Sequence, residues 1–166
     1  MTRLDHVREL VDALELPATI APEALAAKLA QSRGRPIKVL PYPEVIVAGF
    51  RHADEPLPYG VWIDDPAADY VFYRTDTTPS HQRHIILHEL GHISCRHVGN
   101  QVARDPVDED EPDQAAVIGA VKRAGGFAED QEQAAESFAY LIERQTRPNL
   151  SATGETPADR YRLLED

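Results

Sequence analysis

His88 and His92 lie four residues apart, and in this chain their spacing is the clearest indication of a metal-binding site. With Glu89 they form the pattern H-E-x-x-H. On a helix, residues i and i+4 project from one face, roughly 5–6 Å apart, so two imidazoles can bind one metal ion. A catalytic zinc site keeps one coordination position for water, and the glutamate beside it can accept a proton from that water. The pattern therefore predicts a hydrolytic metal site.

A catalytic zinc ion takes three protein ligands, so the pattern needs one more residue. Glu132 and Glu136 lie four residues apart in a segment with helical periodicity, and they therefore share one helix face. If Glu132 binds the metal, Glu136 can hydrogen-bond a ligating histidine; the spacing also allows the reverse assignment. Glu129, about one turn earlier, ranks below both as a third ligand.

Other histidines and the only cysteine lie close to the pattern. His84 shares the helix face, but it would lie about 12 Å from His92, so a straight helix cannot bring both to one metal ion together with the histidine between them. We expect His84 to line the rim of a cleft or to pack. Cys95 and His97 follow the motif, and Cys95 would supply a soft ligand to a closed structural site if the helix unwound after His92. This closed site is the alternative to an open one.

The helix that carries the motif has clear boundaries in the sequence. Thr78 is a capping residue and Pro79 suits the first helical position, so we predict a helix from Pro79 to about Cys95. A second helix, over residues 129–147, is predicted to carry the candidate third ligand. Three apolar residues of the first helix lie away from the histidines and are expected to face the core: Ile86, Leu90 and Ile93.

The remaining segments predict an α+β chain with a small mixed sheet. Helices are expected over residues 3–15, 23–32 and 114–123, and strands over residues 37–40, 45–50, 61–63 and 70–73. In the last strand we expect Tyr70 and Tyr73 chiefly to pack, although either hydroxyl could donate a hydrogen bond to a reaction intermediate.

Length and charge set limits on organisation and partners. A single domain over residues 1–166 is expected, with N-terminal helices over 1–35, an acidic loop over 104–113 and a polar tail over 150–166. The formal net charge of −11 opposes direct binding to nucleic acid. The single cysteine allows no intramolecular disulfide, and no signal peptide or membrane-spanning run is evident. We expect a cytoplasmic protein without membrane contact.

The run R-H-I-I-L-H-E-L-G-H that ends at His92, then His97, and the run E-x-x-A-x-x-F-A that begins at Glu132 together resemble the ImmA/IrrE family of zinc metallopeptidases. The resemblance covers roughly residues 37–145 and is specific at the two helices. It implies a zincin-like fold, with the sheet packed against the H-E-x-x-H helix and the second glutamate-bearing helix. It also implies Glu132 as the third zinc ligand. Where the family usually has Asn or Asp, this chain has Glu136, so the ligand assignment stays open.

The resemblance also implies a biological role. Members of this family resemble regulators that cleave or inactivate a helix-turn-helix repressor, and the length and composition are similar to those of short actinobacterial members. The primary hypothesis is therefore a zinc-dependent endopeptidase that cleaves a partner DNA-binding regulator. One of the strands before the motif helix, with Tyr70 to Tyr73 as a candidate, could pair with an extended substrate. The alternatives are a non-catalytic metal-binding module that binds a repressor without cleaving it, and a hydrolase of a small amide or nucleotide. Glu89 opposes the non-catalytic reading, because a structural zinc site needs no base.

Overall fold

The computed structural model describes residues 1–102 and 112–146, and this part of the chain is a mixed α+β fold, as predicted. The strands are β1 (Ile37–Pro41), β2 (Gly60–Asp64), β3 (Asp69–Tyr73) and β4 (Asn100–Gln101). The helices are α1 (Arg3–Ala13), α2 (Pro22–Arg33), α3 (Glu44–His52), α4 (Pro79–Ser94), α5 (Gln114–Arg123) and α6 (Glu129–Gln145). The polar tail and most of the acidic loop lie outside the described residues; within that loop Asp113 caps α5 by accepting a hydrogen bond from the Ala116 amide.

The four strands form one mixed sheet in the order β1-β3-β2-β4. β1 runs parallel to β3, β2 runs antiparallel to β3, and β4 runs parallel to β2. Alternate residues of the strands enter two different apolar clusters: Trp62 and Val71 pack with α4 and α6, whereas Ile63 and Phe72 pack with α3 and α5. The two central strands are therefore covered on both faces.

The prediction of a strand over residues 45–50 is wrong, because this segment belongs to helix α3. Its β-branched run favours a strand locally. However, Ile46 and Phe50, four residues apart, are both buried, while Val45 is 53% exposed. Burial at a spacing of four matches one face of a helix, and packing of that face against the sheet overrides the local preference.

A buried carboxylate joins helix α2 to the sheet. Asp69 of β3 accepts a hydrogen bond from the Trp62 indole at 2.9 Å and pairs with the Arg33 guanidinium of α2 at 2.6 Å. Because a buried charge is stable only when paired, this contact holds β2 and α2 in a defined relation. None of the helices in the described ranges is both long and apolar enough to cross a bilayer.

Candidate metal centre

The site lies between α4 and α6, which pack closely against each other. On α4, His84, His88 and His92 follow one another at successive turns, and their glutamate partners on α6 follow in the reverse order, so the helices are antiparallel. Gly91 permits the close approach, because a Cβ there would lie 2.8 Å from the Ala135 carbonyl oxygen. Ala135 itself is fully buried. The small residues of the two motifs thus set the distance between the helices that carry the donors.

Gly91→Ala is expected to push α4 and α6 apart. A methyl group 2.8 Å from a backbone oxygen cannot be accommodated by a side-chain rotation, so we expect a loss of about 1–3 kcal/mol in the free energy of unfolding and weaker metal binding. Gly49→Ala in α3 is the matched control, since its added Cβ meets no atom within 4 Å. The free energy of unfolding of this control variant should rise by about 0.5–1 kcal/mol, because alanine has a higher helix propensity than glycine. Urea denaturation checks both, and equal stability of the Gly91 variant and the wild type would contradict the packing described.

Three donor groups converge at this interface. Single ligand atoms of His88, His92 and Glu132 all lie within 4.8 Å of one another, so the group can hold a metal ion. The Glu132 carboxylate lies 3.0 Å from His88 Nε2 and 3.5 Å from His92 Nε2, and the two Nε2 atoms are 3.2 Å apart. Burial lowers the pKa of His92 to about 3, with the neighbouring His88 and His97 adding to the effect. His92 is thus neutral at physiological pH, which is the form that binds metals.

Glu136 lies on the other side of the His88 ring. Its Oε2 is 3.0 Å from His88 Nδ1, so Nδ1–H donates to the carboxylate and Nε2 is left facing Glu132. The structure therefore places Glu132 in the donor group and Glu136 on the outer nitrogen of a ligand candidate. Glu129, the lower-ranked candidate, is not in the donor group.

His97 and Phe127 contact the second histidine. His97 Nδ1 lies 2.8 Å from His92 Nδ1, and the Phe127 ring stacks on the His92 ring at 3.7 Å between centroids. No local pattern singles out Phe127, a lone aromatic after two loop glycines. Cys95 is not among the clustered donors in the described residues, so the closed site that would use its thiol is not assembled. Burial raises the pKa of that thiol.

Glu89 is buried beside the donor group, with 9% of its surface exposed. Burial raises the pKa of its carboxyl group to about 7, against the opposing effects of His88 and of a hydrogen bond from the Trp62 backbone. Strand β2 passes very close to it: a Cβ on Gly60 would lie 2.5 Å from Ile85 Cγ2 and 3.3 Å from Glu89 Cγ. A cavity of about 230 Å³ opens at this point, lined by Tyr59, Gly60, His84, Ile85, His88 and Glu89.

Among the strands before α4, the candidate Tyr70 to Tyr73 is wrong as the strand that pairs with substrate, because β3 is paired on both sides, by β1 and β2. Tyr70 is 3% exposed and stacks on Phe72 within the core. The unpaired sheet edge nearest the cavity belongs to β2 instead. There β4 pairs only with Ile63 and Asp64, so the edge at Gly60 has no partner strand among the described residues.

His84 lines this cavity, as expected for a rim residue. Its Nδ1 lies 2.9 Å from Glu143 and its Nε2 lies 2.9 Å from Glu136. The hydrogen bond to Glu143, with the charge of Glu136, raises the pKa of His84 to about 9 against the effect of burial. Glu143 was not singled out in the sequence, although it lies seven residues after Glu136 and so on the same helix face.

His84→Gln is expected to lower stability in a pH-dependent manner. Because the folded-state pKa of His84 is raised from 6.5 to about 9, its contribution is complete below pH 6.5 and disappears as pH rises through about 9. The free energy of unfolding of the wild type should thus exceed that of the variant by on the order of 1 kcal/mol at pH 6, after allowance for solvent screening. The difference should become progressively smaller above pH 7. Urea denaturation of both proteins with chelator present measures this difference, and a pH-independent difference would contradict it.

Comparison of the chain with protein-family models, curated proteins and solved structures finds no match. The functional conclusion therefore rests on the geometry of the site. That geometry is a histidine-histidine-glutamate group that can hold a metal ion, with a buried carboxylate and a cavity beside it.

Proposed function

We propose that this chain is a zinc-dependent endopeptidase of the zincin type, similar to the ImmA/IrrE metallopeptidases, and that it cleaves a partner DNA-binding regulator in the cytoplasm. The observation that carries the proposal is the convergence of His88, His92 and Glu132 beside the buried carboxyl group of Glu89. A metal site with only a structural role would not need that carboxyl group.

The donor set fits zinc. Two neutral imidazoles and one carboxylate are a ligand set that catalytic zinc sites use, and they leave one position for water or substrate. The absence of a sulfur donor from the group favours this open site over a closed structural one. Zinc held by His88, His92 and Glu132 would polarise a peptide carbonyl and lower the pKa of a water molecule.

Glu89 is the proposed general base. Its buried carboxyl group lines the cavity beside the donor group, where it could accept a proton from a water molecule and return it. It would accept the proton of the attacking water and deliver it to the leaving amine. The Trp62 backbone also hydrogen-bonds this carboxylate.

The cavity and the adjoining sheet edge are proposed to bind the substrate. The unpaired edge of β2 at Gly60 offers backbone groups to an extended peptide, as in other cases of strand addition. The cavity of about 230 Å³ next to Glu89 then receives one substrate side chain. The net charge of −11 favours a basic partner, which a DNA-binding regulator is, and opposes direct contact with nucleic acid.

The test is to incubate the zinc-loaded protein with a candidate helix-turn-helix regulator, chosen from the genes next to its own, and to identify fragments by mass spectrometry. We expect one or a few defined cleavages that disappear when the protein is first treated with a chelator. Tight binding without fragments under zinc-replete conditions would contradict the proposal and favour a non-catalytic metal-binding module that inactivates the regulator by association.

A further inference from the structure

We infer that His84 and Glu143 are positioning residues that fix the orientation of His88 by acting through Glu136. The inference rests on the metal site of the proposed function but not on peptide cleavage. The contacts form an unbroken series between the two helices: Glu143 to His84 at 2.9 Å, His84 to Glu136 at 2.9 Å, and Glu136 to His88 at 3.0 Å.

The protonation of His84 follows from its partners. Each ring nitrogen faces a carboxylate oxygen, and a carboxylate only accepts hydrogen bonds. Both nitrogens must therefore carry hydrogen, and His84 is an imidazolium. As a cation with two donors it can hold both glutamates in place.

Glu136 requires such a partner because it is not held by burial. Its side chain is 56% exposed, and a glutamate at the surface normally occupies several rotamers. Here both carboxylate oxygens are engaged, Oε1 by His84 and Oε2 by His88. His84 therefore selects the one rotamer in which Glu136 reaches His88.

The consequence is a defined ligand geometry at His88. With Nδ1–H directed to Glu136, the ring turns Nε2 toward Glu132 and His92, so Nε2 is the nitrogen that would bind a metal ion. Without His84, Glu136 would spend part of its time in solvent, and the His88 ring would lose both its preferred tautomer and its orientation. Glu143 acts one step further out, by holding the His84 ring on its other nitrogen.

The experiment is a double-mutant cycle on zinc affinity, measured by competition with a chromophoric chelator in the absence of any peptide. His84→Ala should weaken zinc binding about 3- to 10-fold, and Glu136→Ala about 10- to 100-fold. In the Glu136→Ala background, His84→Ala should have no further effect, because the residue through which it acts is gone. Equal losses in both backgrounds, or no loss in the wild-type background, would overturn the inference.

Two further variants separate positioning from folding. Glu143→Gln keeps the side-chain size at a partly exposed position and should reduce zinc affinity about 2- to 5-fold through weaker retention of His84. Tyr140→Phe is the matched control, since it removes an exposed hydrogen bond with Arg144 on the same helix and should leave zinc affinity unchanged. An equal loss in both would show a general effect on α6 and overturn the inference. Zinc binding without cleavage of the regulator would instead contradict only the proposed peptidase function.

Discussion

Glu89→Gln is expected to abolish peptide cleavage while one zinc ion remains bound per chain. The amide has nearly the same size as the carboxylate and can still accept the hydrogen bond from the Trp62 backbone, but it cannot accept a proton from water. General base catalysis contributes about 10²- to 10⁴-fold, so kcat/KM on the regulator should fall by that factor. Elemental analysis of the purified variant gives its zinc content.

The same substitution should not damage the fold. Burial disfavours the Glu89 carboxylate, so in the metal-free wild type stability falls as pH rises from 4.5 to about 7, and the neutral amide avoids this loss. The variant should therefore be at least as stable as the wild type at pH 8. Glu9→Gln, on the exposed face of α1, is the control and should retain full activity. Retention of more than a tenth of the wild-type kcat/KM by Glu89→Gln would remove Glu89 from the mechanism.

Glu132→Ala is expected to weaken zinc binding far more than Glu136→Ala. Glu132 is the carboxylate that lies within 3.0–3.5 Å of both ligand nitrogens, whereas Glu136 contacts only the outer nitrogen of His88. Zinc sites supply roughly 10–16 kcal/mol, so the loss of one direct ligand is expected to reduce affinity on the order of 100- to 1000-fold. Loss of a residue that orients a ligand reduces affinity about 10- to 100-fold.

Chelator competition ranks the two variants directly. Glu129→Ala is the control on the same helix, because Glu129 lies one turn earlier and outside the donor group; it should bind zinc as the wild type does. If Glu136→Ala lost more affinity than Glu132→Ala, Glu136 would be the ligand and the arrangement of α4 against α6 would have to change.

Local signals explain which parts of the site could be predicted from the sequence. Thr78 caps α4 and Pro79 begins it, as their residue types indicate, so the helix and its histidine spacing follow from interactions within a few residues. The prediction that Glu132 and Glu136 share one helix face likewise needed only the helical period. Distinguishing their roles needed the antiparallel register of α4 and α6, which depends on the contact of Gly91 with Ala135 and is not a local property.

The features that sequence reasoning missed all depend on contacts between distant segments. Helix α3 forms because Ile46 and Phe50 are buried against the sheet, although its β-branched run favours a strand. The interior position of β3 results from strand order, which no single segment specifies. The contacts of Phe127 with His92 and of Glu143 with His84 join distant segments; Glu143 shares a helix face with Glu136, but only the packing of the helices brings it to His84.

Anomalous diffraction at the zinc edge, from crystals of the zinc-loaded protein, tests the central claim most directly. We predict one strong peak per chain, about 2.0–2.2 Å from His88 Nε2, His92 Nε2 and a Glu132 oxygen, with its remaining position open on the side of Glu89. Zinc bound by Glu136 or by the Cys95 thiol, or no zinc between α4 and α6, would contradict the claim.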